Sequence, residues 1–492
     1  MQPNEKRRLI EPILHKLADT FTEILIYFIV IFSPWAFGTT ETWSIWAMNI
    51  SAYALGFLLI SKLTIRWKLK YKLYVTPEKT GFSSKQKRIS SIQKKCNILL
   101  AGIMLLLLAY VLTSAINARA SFDLIAKEYT YFKEFNVYLP HSYDSIATWK
   151  IFWQYLGLII LFWAIRDWLA DSFRKKTFFS LNPRLKKLLF IVCINGSALT
   201  LECILQRIYF DDNLGKLLFL FEPNINKTND AQFGPFAYRS NAASYLNLIW
   251  PLCIGLFLQL GNENLENKKK RLGKGPELIL IPCIILTASG PIISSSRGGA
   301  LIMLGLVFLT IILFLFSKIK INFLRYAVPI FLMIGLILAY QLGWDSIEPR
   351  LEKIFLGNMS SRIQLYQTLM TIINDYGVFG SGPGSFETII QFEFNESFTR
   401  WESWAHNDYL ELYLTFGKFS LMLFALPFIC IISLFINLKS KVNYHIQSFS
   451  LIAIVGLMIN ALIDFPLQTH SILILLCIIC ATVTLQEKQI SN

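Results

Sequence analysis

His406 is the residue of this sequence best suited to move a proton. It stands in Trp404-Ala-His-Asn-Asp-Tyr-Leu-Glu411 and is one of five histidines in 492 residues. Histidine takes and returns a proton near neutral pH. Asn407 and Asp408 beside it offer orienting partners; the competing assignment is a helix-terminal histidine packed among aromatics. Arg297 stands in Ser294-Ser-Ser-Arg-Gly-Gly299, a turn between two apolar runs. An arginine there is costly without a partner, and the flanking glycines allow close backbone approach. Guanidinium binds phosphate oxygens in pairs; a snorkelling interfacial arginine is the alternative.

Three further residues join them. Arg362 opens a helical stretch, where a cation opposes the macrodipole. It therefore needs an anion, either Asp345 or Glu348 or a ligand phosphate. Arg239, in Gly234-Pro-Phe-Ala-Tyr-Arg-Ser-Asn241, carries the same two readings. Asp464, in Leu462-Ile-Asp-Phe-Pro-Leu-Gln468, ends an apolar run that Pro466 closes, and reads as a turn-forming aspartate that pairs with an arginine. Two or three arginines with one histidine suit a diphosphate leaving group and a hydroxyl nucleophile. The arginines would hold the charge growing on the diphosphate, and the histidine would take the hydroxyl proton. No clustered His, Cys and Asp set resembles a metal site, and Asp211-Asp212 stands alone. Metal-independent chemistry without a cofactor is therefore expected. The aromatic stretch 386–404, including Trp404, can stack on sugar faces, against the alternative of interfacial anchoring.

The elements that must position these groups are membrane helices. The chain is 54% hydrophobic and 16% charged, where a soluble domain carries about 25% charged residues. Mean hydropathy is +0.48. Apolar runs lie at roughly 20–39, 43–61, 97–116, 148–167, 188–207, 242–261, 277–295, 300–316, 322–343, 416–437, 446–465 and 470–486. Each is about the 20 residues needed to cross the hydrocarbon. The expected fold is an all-α integral membrane protein of about twelve spans.

The net charge of +15 sits in short loops between spans. Lys62 to Lys95 follow span 2, Arg174 to Lys187 follow span 4, and Lys268 to Lys274 follow span 6. Lys318, Lys320, Lys439 and Lys441 complete the series. All fall on one side if the spans alternate, which makes that side and both termini cytoplasmic and argues against a nucleic-acid partner. No cleavable signal peptide is read; the first span acts as its own insertion signal. The eight cysteines show neither a disulfide framework nor ligand spacing. The expected organisation is spans 1–9 over 1–343, a large outer loop over 344–415, and the last three spans with a short tail over 416–492. That loop is too long for a simple connector. It holds helical patterns at about 361–375 and 404–415 around the turn-rich break Gly380-Ser-Gly-Pro-Gly-Ser385.

Ser296-Arg-Gly-Gly299, Arg362 ahead of Gly380-Ser-Gly-Pro-Gly384, His406-Asn-Asp-Tyr-Leu410 followed by Phe416-Gly417, and Asp464-Phe-Pro-Leu467 together resemble the O-antigen ligase and O-antigen polymerase superfamily. The similarity extends over roughly 230–470. It implies a bundle of about twelve helices with a large periplasmic loop before the final spans. It implies a donor glycan on undecaprenyl diphosphate, and lipid A-core or another glycan as acceptor, at the periplasmic face of the inner membrane. His406 then corresponds to the essential histidine, and Arg297 and Arg362 to the essential arginines. Arg239, Asn241 and Asp464 fall on further positions of the pattern, and Asn407 and Trp404 flank the histidine as substrate contacts. A ligase is the leading expectation and a polymerase using the same donor the alternative. A lipid-linked oligosaccharide transporter should instead place charges near mid-bilayer, often in repeated halves; here the candidates lie at one rim, with Glu202 the exception. A non-catalytic scaffold would tolerate alanine at Arg297 and His406.

Overall fold

The computed structural model describes residues 11–71, 84–123, 126, 128–171, 181–209, 218, 220–222, 231–266, 275–316, 322–355, 360–393, 403–438 and 443–484. The lysines and arginines read at 72–83, 172–180, 267–274, 317–321 and 439–442, the pair Asp211-Asp212, and the aromatics Phe394, Phe398 and Trp401 lie outside those residues.

The chain is an all-α polytopic membrane protein. Its helices in order are α1 (Ile13–Trp35), α2 (Thr42–Lys68), α3 (Ser84–Ile116), α4 (Ser145–Asp171), α5 (Pro183–Ile208), α6 (Arg239–Glu266), α7 (Leu280–Ile293), α8 (Arg297–Phe316) and α9 (Asn322–Phe355). There follow α10 (Ser360–Ile372), α11 (Phe386–Glu393), α12 (Asp408–Phe416), α13 (Ser420–Leu438), α14 (Tyr444–Asn460) and α15 (His470–Val483). Among the described residues, 10 helical stretches are long and apolar enough to cross a membrane, and Tyr444–Asn460 and His470–Val483 are shorter apolar helices. Each of the twelve overlaps one apolar run of the sequence. A helix satisfies every backbone polar group within its own segment, as lipid demands. The described sheet is one antiparallel hairpin, β1 (Ala120–Asp123) with β2 (Glu128–Tyr131), pairing Ala120 with Tyr131.

Helix α6 is the axis of the bundle. Its most apolar window is completely buried, and α5, α7, α8, α14 and α15 pack around it. Ser240, Asn241, Ser244, Asn247 and Gln259 of this helix are buried polar residues, which lipid would leave without hydrogen-bond partners. Asn247 and Ser244 find partners within the bundle. Asn247 donates to the Gly299 carbonyl at 3.0 Å, and Asn460 donates to the Ser244 hydroxyl at 2.5 Å. These bonds fix α6 against the start of α8 and the end of α14.

The opposite end of the first helices carries an ion network. Lys62 is fully buried between Asp19 at 3.2 Å and Asp167 at 3.1 Å. Arg66 grips both oxygens of Asp167 at 2.5 and 2.9 Å, and Arg184 pairs with Asp19. Lys62 and Arg66 were read as the start of a basic loop. The helix instead runs on to Lys68, because paired carboxylates on α1 and α4 let both cations stay inside. Both cations sit near the C-terminal end of α2.

Helix α9 continues past the expected span boundary at 343 to Phe355. The first helical pattern expected in the stretch 344–415 is α10. The second begins later than expected, at Asp408, because the Asn407 side chain caps it by accepting from the amides of Tyr409 and Leu410, both at 3.1 Å. The glycine-rich break is a packing hub: the Ser381 amide donates to Leu414 O at 2.9 Å, and Tyr143 N donates to Ser381 O at 2.9 Å. It thereby joins the entry of α4 to α12.

Candidate functional site

Five segments meet at the end of the bundle away from Lys62. They are the start of α6, the start of α8, the first turns of α10, the stretch 403–407 ahead of α12, and the turn 461–465 after α14. Each is a helix terminus, where backbone groups are left for ligands or side chains.

His406 lies at the centre. Its Nδ1 is 3.2 Å from Asp464 Oδ1 and 3.3 Å from Arg362 Nη2. The other guanidinium nitrogen of Arg362 donates to the Ile463 carbonyl at 2.9 Å, so the arginine is anchored to the turn that carries Asp464. From the sequence, Arg362 needs an anion, either Asp345 or Glu348 or a ligand phosphate. Here the Ile463 carbonyl and the His406 ring meet the guanidinium. Asp464 is 5% exposed and takes a hydrogen bond from Ser240 at the start of α6.

The backbone at His406 is left-handed, with φ 50°. Such a conformation costs a non-glycine residue on the order of 1–3 kcal/mol and persists where the surroundings impose it. The Tyr366 hydroxyl donates to the His406 carbonyl at 2.6 Å, and the Asp408 amide donates to Ala461 O at 2.9 Å. These bonds hold the histidine against the turn after α14. Asn407 and Asp408, read as orienting partners, are engaged elsewhere. Asn407 caps α12, and Asp408 accepts from the Leu467 amide at 2.9 Å and Gln468 Nε2 at 3.3 Å. Chain neighbours of a helix start point away from one another, so the partner comes from a distant segment.

Aromatic rings form one wall. Phe465 is stacked between Tyr238 at 5.1 Å and Trp404 at 5.5 Å, and the His406 ring meets Phe465 edge-on at 5.0 Å. Trp404 is 36% exposed. Burial raises the Tyr238 phenol well above its ordinary value. Asp464 adds to the rise, while Arg362 and Arg239 oppose it. Tyr238 therefore stays a neutral O–H group, with both arginines and the aspartate close enough to act on it.

Arg297 opens α8, half-buried, directly after Ser296. The Ser296 hydroxyl donates to Ser240 Oγ at 3.2 Å and accepts the Gly299 amide at 3.1 Å. A Cβ at Gly299 would stand 2.3 Å from Ala243 Cβ, so only glycine lets α8 approach α6 this closely. Arg239 and Arg297 are thus the chain neighbours of two serines bonded to each other beside Asp464. Asn241 is buried on the first turn of α6, its amide bonded to the Tyr238 carbonyl at 3.0 Å. Sequence reasoning missed Ser240, Tyr238 and Tyr366. Tyr238 and Ser240 flank Arg239, and Tyr366 lies one helical turn after Arg362; that adjacency was the available signal.

Among the described residues, no three His, Cys, Asp or Glu side chains gather as a metal ion would require. Residues 282–425 match the family model described as O-antigen ligase, a stretch that contains Arg297, Arg362 and His406. That match supports the resemblance to the O-antigen ligase and polymerase superfamily. No curated protein matches the chain.

Proposed function

We propose, from the premise that this membrane protein carries an O-antigen ligase-type region, that it is a glycosyltransferase that moves a glycan from undecaprenyl diphosphate to a hydroxyl of lipid A-core or a similar acceptor. The reaction takes place at the periplasmic face of the inner membrane, the side opposite the basic loops. The observation that carries this reading is the contact of His406 with both Asp464 and Arg362, made by residues from three separate segments.

A carboxylate only accepts hydrogen bonds and a guanidinium only donates them. Asp464 therefore takes the Nδ1 proton of His406, and Arg362 stands beside the ring as a fixed positive charge. This tautomer leaves Nε2 with its lone pair. The acceptor hydroxyl oxygen forms a bond to the anomeric carbon of the donor sugar while the bond from that carbon to the diphosphate oxygen breaks. The bonding electron pair leaves on the diphosphate, and the hydroxyl proton passes to Nε2. Arg362, Arg297 and Arg239 face the growing diphosphate charge, where preorganised cations act most strongly. Trp404, stacked on Phe465 and partly exposed, offers ring surface to the sugar.

The test is complementation of defined ligase-null and polymerase-null strains, with lipopolysaccharide read on gels. Attachment restored without altered chain length supports the ligase. A ladder restored only in the polymerase-null strain would replace it with the polymerase using the same donor. Restoration in neither strain removes both.

A further inference from the structure

We infer that Ser240 is a positioning residue for the base, acting through Asp464, and that a one-way hydrogen-bond chain starting at the α8 N-terminus sets its direction. The inference rests on His406 being the base, as proposed above.

Counting protons fixes the chain. Asp464 Oδ2 can only accept, so the Ser240 hydroxyl hydrogen points at it. The Ser240 oxygen is then free to accept, and Ser296 Oγ supplies the hydrogen at 3.2 Å. Ser296 has spent its own hydrogen, and its oxygen accepts the Gly299 amide at 3.1 Å. That amide is one of the unpaired N–H groups at a helix start, where the macrodipole is positive. Each link thus has one possible direction, and all run toward the carboxylate. Hydrogen bonds linked this way polarise one another. The other carboxylate oxygen, Oδ1, faces His406 Nδ1 at 3.2 Å. Ser240 and Ser296 are 3% and 4% exposed, so water does not replace the missing donor if either hydroxyl is removed.

The same chain ties the base to the donor site. Ser240 follows Arg239 and Ser296 precedes Arg297, so a shift of either arginine on the diphosphate moves a link of the chain. Ser240 itself touches neither the donor nor the acceptor. Its loss should therefore lower turnover and leave donor affinity alone.

The experiment uses the full-length protein in vesicles, with a synthetic polyprenyl-diphosphate glycan as donor and purified lipid A-core as acceptor. Ser240→Ala is expected to lower kcat about tenfold, the scale of one hydrogen bond to a charged group, with donor KM unchanged. Ser240→Thr keeps the hydroxyl and should restore most of the rate. Equal kcat in Ser240→Ala and the parent, a rise in KM with kcat intact, or a loss that Ser240→Thr does not recover would each overturn the inference. Should Ser240→Ala fail to fold, Ser296→Ala carries the same test: kcat must fall at constant KM, and an intact kcat overturns the chain. His406→Ala is measured in parallel. If it stays active, the proposed base is wrong; if it is inactive while Ser240→Ala is unimpaired, only the role of Ser240 is lost.

Discussion

His406 Nδ1 and Asp464 Oδ1 are 3.2 Å apart across 58 residues of sequence. Between them in the chain lie α12, α13 and α14, so two passes through the bundle separate the partners. The pair is completed only when the turn after α14 returns to the stretch ahead of α12. The Asp408 amide bonded to Ala461 O at 2.9 Å is the backbone tie that brings it back.

Asp464→Asn tests the pair. The amide is isosteric, yet it can present N–H to the ring and favour the wrong tautomer. The same replacement in a serine-protease triad costs about 10⁴-fold. A loss on the order of a hundredfold or more in transfer rate is expected here, with unchanged protein level in the membrane. An Asp464→Asn protein that transfers at the parent rate would dissociate the aspartate from the chemistry.

Arg362→Lys separates charge from geometry. The guanidinium donates to the Ile463 carbonyl through one nitrogen and reaches His406 with the other, 2.9 and 3.3 Å away. A lysine ammonium keeps the charge but loses the planar fork. Transfer should fall by roughly a hundredfold, as when one preorganised donor is removed from a reacting charge. Steady-state rates at saturating donor measure it.

Gly380→Ala probes the hub that joins α4 to α12. Gly380 has φ 72°, and a Cβ there would lie 2.4 Å from the Leu414 carbonyl oxygen. The left-handed backbone alone costs alanine about 1 kcal/mol or more, and the backbone clash adds to it. The variant should unfold at lower temperature in detergent than the parent protein. An unchanged melting temperature would show that this turn does not brace the site.

The candidate site was legible where it is charged. His406, Arg297, Arg362 and Asp464 are rare ionisable groups at the rims of apolar runs, and a charge there must have a purpose or a partner. Arg239 and Arg297 adjoin in sequence the serines that link α6, α8 and Asp464, because alternate spans deliver these helix starts and ends to one end of the bundle. Ser240 and Tyr366 carry no charge, so their types say nothing until folding supplies the partner. The sequence offers Asn407 as an orienting partner of the histidine, but its side-chain oxygen caps α12. The twelve helices were legible from hydropathy, which fixes each span from local sequence. The extension of α2 to Lys68 was not, since it depends on Asp19 and Asp167 from α1 and α4 meeting Lys62.

Lys62→Met breaks the network at the C-terminal end of α2. It leaves Asp19 and Asp167 short of a cation in a buried place, a change that costs on the order of 3 kcal/mol. Arg184 and Arg66 retain part of the pairing, so the protein should still insert. A clear drop in thermal stability, with normal kcat in the folded fraction, is expected from melting and activity measured on one preparation.

The most direct measurement is glycan transfer by the reconstituted full-length protein, given a polyprenyl-diphosphate glycan and a lipid A-core acceptor, with release of polyprenyl diphosphate followed in step with product. The parent protein should form product and diphosphate in equal amounts, and His406→Ala, equally inserted, should stay at background. Transfer by His406→Ala at the parent rate would contradict a proton-accepting histidine at the meeting point of these five segments.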